Sequence, residues 1–229
     1  MRLTNAALSE TIRTALSEIG VIPVIAVNDP ASAEPLAQTL WEAGLPVAEI
    51  TFRTPVAGEV IARMRRTQPE MLIGAGTVIS PEDVDSAVDA GAQFALAPGF
   101  VPETLARAHD RSLGFIPGIM TASDIGTSLN AGLAAMKFFP AVPAGGTTML
   151  TALHAPHAHL HPQFVPTGGV KLETIPDWLS LDHVLAVGGT WIANRQLLDD
   201  QDWESIYENA KTAVTAARAY SAHAATARP

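Results

Sequence analysis

One rhythm dominates the chain: a short apolar run, then a segment of helical period, repeated to the end with no linker-like stretch between. The runs are Val21–Val27, Val47–Arg53, Met71–Val78, Phe94–Pro98, Phe115–Ile119, Ala134–Pro140, Gln163–Thr167 and Val184–Val187. Runs buried on both faces and alternating with helices specify a parallel sheet, because crossover helices cover both of its faces. Eight such units in 229 residues predict an α/β fold, a single (β/α)8 TIM barrel over residues 1–229 with an additional N-terminal helix at about Asn5–Ile19. An open doubly wound sheet is the alternative, and strand count separates the two.

Helix signals agree with this phasing. Asp29-Pro30, Thr54-Pro55 and Ser80-Pro81 each put a capping side chain before a proline suited to the first helical position. Ser80 with Asp83, and Thr121 with Asp124, have capping-box spacing with Asp in place of Glu. Gly44, Gly91 and Gly132 fall where helices should end. The strand-to-helix turns are therefore short, and in a barrel they form the C-terminal face that carries activity.

Composition narrows the function. Hydrophobic residues make up 48%, enough for a large core, and the net charge is −9 with a pI near 5.1. Such a charge disfavours nucleic acid or an anionic membrane as partner. The chain has no cysteine, which excludes disulfides, thiolate chemistry and Cys-based zinc sites. Met1–Glu10 carries no leader pattern, and no stretch reaches the roughly 18 to 20 apolar residues of a membrane span. A soluble, cytoplasmic protein is expected.

Side chains alternate along a strand, so Val47, Glu49, Thr51 and Arg53 share one face, and Ala48, Ile50 and Phe52 share the other. The outer face of a barrel strand packs on helices, so the polar set should point inward. Glu49 and Arg53 would lie about 13 Å apart along the strand. Both could then reach a ligand at the mouth. The plainer alternative is a rim arginine and a glutamate satisfied among polar groups of the barrel.

Lys137 is one of three lysines, and the other two, Lys171 and Lys211, fall in helical or loop segments. It sits within Ala-Ala-Met-Lys-Phe-Phe-Pro, where burial without a partner favours the neutral, nucleophilic amine. A lysine paired with a barrel carboxylate, or one whose ammonium snorkels to the strand end, is the alternative. Two glycine-rich strand ends, Thr167-Gly168-Gly169 and Gly188-Gly189-Thr190, offer backbone N–H groups to an anion, with following helix N-termini as an added dipole. These are the positions of the recurrent phosphate site of barrels. His154, His157, His159 and His161 cluster in what reads as a loop bounded by Pro156 and Pro162. No acidic residue is interleaved, so no metal site is expected there. Trp178, Trp191 and Trp203 read as helix-packing residues, and Arg63, Arg65 and Arg66 as a solvated helix end.

Taken in order, Glu49-Ile50-Thr51-Phe52-Arg53-Thr54-Pro55, Gly74-Ala75-Gly76-Thr77-Val78, Lys137-Phe138-Phe139-Pro140 and Pro166-Thr167-Gly168-Gly169 resemble the 2-keto-3-deoxy-6-phosphogluconate (KDPG) aldolases. Members of that family often also act as 4-hydroxy-2-oxoglutarate (KHG) aldolases. The likeness runs from about Val21 to Ile192. It implies a class I aldolase of (β/α)8 fold, a homotrimer, acting on a phosphorylated keto acid without metal or other cofactor. It assigns Lys137 as the Schiff-base lysine and Glu49 as the proton-transferring carboxylate. Arg53 and Thr77 would hold the pyruvate carboxylate, Pro98, Phe139 and Thr167 would line the pocket, and Gly168, Gly169, Gly189 and Thr190 would receive the phosphate. Three features depart from the family: Thr190 stands where serine is usual, Ala97 precedes Pro98 where serine is common, and the histidine-rich stretch His154–His161 is atypical. The stereochemistry at C4 stays open, so the phosphogalactonate analogue is an alternative substrate. A metal- or carboxylate-dependent sugar-phosphate isomerase and a non-catalytic sugar-phosphate sensor are the rival functions.

Overall fold

In the computed structural model residues 4–226 are described; Met1–Leu3, within the segment read for a leader, and 227–229 lie outside the described residues. The strands are β1 (Val21–Ile25), β2 (Val47–Thr51), β3 (Leu72–Gly76), β4 (Phe94–Leu96), β5 (Gly114–Ile116), β6 (Gly118–Ile119), β7 (Ala135–Phe138), β8 (Gln163–Pro166) and β9 (Val187–Gly189). The helices are α1 (Glu10–Ile19), α2 (Ala33–Glu42), α3 (Ala57–Thr67), α4 (Pro81–Asp89), α5 (Pro102–Asp110), α6 (Ala122–Asn130), α7 (Gly146–His154), α8 (Ile175–Leu179), α9 (Arg195–Asp199) and α10 (Trp203–Thr226).

Every strand pair is parallel. Six strands in the order β5-β4-β3-β2-β1-β9 form a curled half-barrel, and β6-β7-β8 form a second sheet. The expected fifth run divides at Pro117, which has no N–H to give a ladder. Gly114–Ile116 therefore pairs with β4, while Gly118–Ile119 turns to β7. The expected eighth run also shifts: Val184 makes only an isolated bridge to Phe164, and the strand itself is the glycine-rich Val187–Gly189. A further bridge joins Thr167 to Gly188.

Local signals were mostly borne out, with two corrections. Both capping boxes form, at Ser80/Asp83 and Thr121/Asp124. Thr54 does not cap α3; its hydroxyl donates instead to the Val27 carbonyl at 2.7 Å, and the helix begins two residues past Pro55. The N-terminal helix is shorter than Asn5–Ile19, because Ser9 adopts extended backbone and caps α1 by accepting from the Ile12 amide.

The strand interiors are buried throughout, and one apolar cluster extends from Ala6 to Ala217. Among the described residues the only buried charged side chains are Glu49 and Lys137. No helix there is long and apolar enough to cross a membrane.

The histidine-rich stretch is not a loop. α7 runs to His154, and Ala155–Leu160 continues as a 3-10 helix in which Pro156 stands near the start, where no N–H is needed. His154 stacks on His183 with ring centroids 3.9 Å apart, and both meet the Phe164 ring edge-on. Among the described residues no group of three metal-ligating side chains comes together. Burial pushes the His183 imidazole down from 6.5 to about 4; His154 adds repulsion, and Asp182 partly opposes both. The unfolded chain therefore takes up this proton first, so stability is complete above 6.5 and declines as pH falls toward 4. Urea denaturation of the native chain and of His183→Gln should reveal a difference in this decline of about 2 kcal/mol, allowing for partial exposure of the ring. Parallel curves for the two proteins would contradict it.

Candidate active site

Parallel topology brings the ends of all the strands to one side, and the singled-out residues collect there. Glu49 projects from β2 and Lys137 from β7, 88 positions apart in sequence. Lys137 Nζ donates to Glu49 Oε1 at 2.9 Å, with both side chains buried. The expectation of a lysine among apolar neighbours alone is thus corrected: the amine lies inside the strand wall, but paired with a carboxylate. The second carboxylate oxygen, Glu49 Oε2, is buried and has no hydrogen-bond partner among the described residues. An unpaired buried acceptor costs about 1–3 kcal/mol, which stability alone does not repay.

Space for Glu49 is made by Gly76. A Cβ at that position would stand 2.2 Å from Glu49 Oε1, and no shift of a flexible chain end could relieve it, since the carboxylate is held by Lys137. Gly188 does the same for Thr167, whose Oγ1 lies 2.2 Å from the position a Cβ would take. Thr167 is buried, and its backbone bridges Phe138 O and Ala141 N. The Phe139 ring centroid is 5.7 Å from Lys137 Nζ, near enough for a cation–π contact.

Arg53 lies just beyond the end of β2 rather than within it. Its Nε donates to Thr51 Oγ1 at 3.1 Å, and the same hydroxyl donates to the Ile25 carbonyl at 3.0 Å. The buried threonine thereby ties the arginine to the wall. A cavity of about 460 Å³ opens beside it, lined in part by Arg53, Thr54, Thr190 and Arg195. Thr77 follows β3 with φ 58°, a left-handed conformation that is unfavourable for a β-branched residue. Pro98 follows β4, and its carbonyl would collide with a Cβ at Gly118.

At the other candidate end, Gly168 and Gly169 have φ of 99° and 84°, and a Cβ on Gly169 would lie 2.7 Å from that of Val142. Glycine is required here by conformation and by contact. The expected helix dipoles are not adjacent: the first α-helices after Gly169 and Thr190 begin at Ile175 and Arg195, each with five residues. Backbone amides rather than helix ends are what these turns can offer an anion.

Sequence reasoning named Lys137, Glu49 and Arg53 but missed the supports. Thr51 shares the Glu49 face in the strand alternation, so a signal for it existed. The role of Gly76 depends on the register between β2 and β3, in which Thr51 pairs with Gly76. No local pattern encodes that register.

Comparison with known proteins places the chain in a family. The family model for aldolases described as KDPG and KHG aldolase matches residues 12–209. The 2-dehydro-3-deoxy-phosphogluconate aldolase of Haemophilus influenzae is 38% identical over 206 residues, covering 90% of this chain and 94% of that protein. The crystal structure of KDPG aldolase from Legionella pneumophila, with pyruvate captured at low pH as a covalent carbinolamine intermediate, matches with a TM-score of 0.83 and 36% identity. That match covers 88% of this chain and 97% of the other. KDPG aldolase of Zymomonas mobilis ZM4 with 3-phosphoglycerate matches with a TM-score of 0.82 and 32% identity, over 90% and 96% of the two chains. By the extent of the family match and the identity of these relatives, the chain belongs to the KDPG and KHG aldolase family.

Proposed function

We propose that the chain is a class I aldolase that cleaves KDPG to pyruvate and glyceraldehyde 3-phosphate, and KHG to pyruvate and glyoxylate, through a Schiff base on Lys137. The observation that carries this reading is the buried 2.9 Å contact between Lys137 Nζ and Glu49 Oε1. A proton moved across that contact leaves a neutral amine beside a carboxylic acid. The amine attacks the C2 ketone to give a carbinolamine, and Glu49 returns its proton to the departing hydroxyl as water. The iminium that forms is an electron sink within the substrate, so the chemistry needs no separate cofactor.

Glu49, again a carboxylate, removes the C4 hydroxyl proton, directly or through a water. The C4–O bond gains its second pair, C3–C4 breaks, and the electrons enter the iminium to give an enamine. Protonation at C3 and hydrolysis release pyruvate and restore the amine. Arg53, with Thr77, holds the keto acid's carboxylate through charge-assisted hydrogen bonds. Pro98, Phe139 and Thr167 line the pocket, and Gly168, Gly169, Gly189 and Thr190 receive the phosphate.

The finer architecture follows the same reading. Residues 1–229 form one domain, and the two sheets close into a (β/α)8 barrel; the bridges at Phe164–Val184 and Thr167–Gly188 support closure. A cytoplasmic location suits a substrate whose charges keep it from crossing membranes unaided. The chain assembles as a homotrimer. Supporting this, Ile79, Val101, Met120 and Val142 are exposed apolar residues that follow β3, β4, β6 and β7, neighbours along one side of the wall.

Borohydride reduction with pyruvate should place a pyruvyl adduct on Lys137 in a peptide mass map, and Lys137→Ala should remove both adduct and turnover while retaining the native circular dichroism. An adduct elsewhere would defeat the assignment. Glu49→Gln should still be trapped by pyruvate but cleave KDPG about 100-fold or more slowly; near-native cleavage would remove Glu49 from proton transfer. Light scattering should give three times the chain mass of 24.0 kDa, and Met120→Glu with Val142→Glu should shift it toward monomer.

A further inference from the structure

The cavity beside Arg53 contains a second guanidinium, on Arg195, that the mechanism above does not use. Arg53 follows β2 and Arg195 opens α9 after β9; β1 lies between those strands, and its Val24 and the following Ala26 join the lining. The strands they follow, β2 and β9, both pair with β1, and both arginines line one cavity of about 460 Å³, so a single ligand charged at both ends can meet the two.

No Asp or Glu lines this cavity, although the chain as a whole carries a charge of −9. Neither arginine is in an ion pair among the described residues. Arg53 bonds the Thr51 hydroxyl, and Arg195 donates to the neutral amide oxygen Asn28 Oδ1 at 3.0 Å. Carboxylates take up much of the other basic surface: Arg63, Arg107 and Arg111 are each bound to one or more. An arginine anchored by an amide keeps its full charge and most of its fork of donors for an anion.

We propose that Arg195, held by Asn28, is a specificity-determining residue that reads the phosphorylated end of the substrate, extending the anion site beyond Thr190. The proposal rests on the aldolase reading. It predicts that the residue acts on substrates long enough to reach the rim. KDPG carries phosphate on C6, whereas the second carboxylate of KHG is attached directly to C4 and stays close to the bond that breaks. Arg195 therefore selects by reach as well as by charge.

Steady-state kinetics on both substrates tests this. Arg195→Ala should raise KM for KDPG by about ten- to a hundredfold, the loss expected of a charged hydrogen bond. Its kcat for KDPG and its kcat/KM for KHG should stay near native values. Arg195→Lys should recover part of the loss, and Asn28→Ala should raise KM for KDPG by a smaller factor. Equal changes on the two substrates, or no change on either, would overturn the assignment. A native chain that fails to trap pyruvate on reduction would instead sink the aldolase reading itself, so the two failures are told apart.

Discussion

A carboxylate and an amine facing each other across the interior of the strand wall are the constraint on which the rest of this structure depends. Removing each charge from water costs several kcal/mol even after relaxation, and well-packed apolar residues in place of such a pair are often neutral or stabilising. Fold stability therefore does not explain Glu49 and Lys137, the sole charges buried among the described residues. Chemistry does. The proposed imine formation needs a proton-transferring group beside the amine, and the 2.9 Å contact puts a carboxylate there. In the proposed mechanism the unpartnered Oε2 is the acceptor left for the substrate hydroxyl.

Holding that pair imposes demands on its neighbours. Glu49 fits only because Gly76 has no side chain, and Thr167 fits only because Gly188 has none. Close packing of the strand interior leaves no room to relax by more than a few tenths of an ångström, so these absences of a methyl group position the site as firmly as any hydrogen bond. Thr51 adds the third support by linking Arg53 to the Ile25 carbonyl on the adjacent strand. Three side chains on β2 and its exit turn are thus set by residues on β1 and β3.

This division explains what could be read from the sequence. The repeating alternation predicted the parallel α/β architecture because each unit signals itself locally, through apolar runs, capping boxes and helix-ending glycines. Lys137 was legible because a charge inside an apolar run contradicts the pattern around it. Its partner was legible as a residue but not as a partner: that Glu49 meets Lys137 depends on curvature that brings β2 opposite β7. The break at Pro117 was missed because both halves of Phe115–Ile119 are apolar and only the pairing distinguishes them. Gly188 and Gly189 were read as the turn that closes the eighth strand because glycine usually ends a strand, whereas here they pair with β1 and Gly188 bridges to Thr167 just past β8. Thr54 was read as a cap because its use by Val27, a residue of the preceding unit, is a tertiary fact.

The distribution of charge links the site to the molecule as a whole. An acidic surface repels an anionic keto acid at long range, but at physiological ionic strength that field decays over roughly 8 Å. At the strand ends the cavity beside Arg53 has two guanidiniums and no carboxylate in its lining. Each arginine is held by a neutral oxygen, Thr51 Oγ1 or Asn28 Oδ1. Anchoring with a neutral group fixes the side chain without cancelling its charge, whereas an Asp or Glu in either place would fix it equally well and remove the attraction. The choice of anchor, more than the number of arginines, is what suits this mouth to the proposed substrate, charged at both ends.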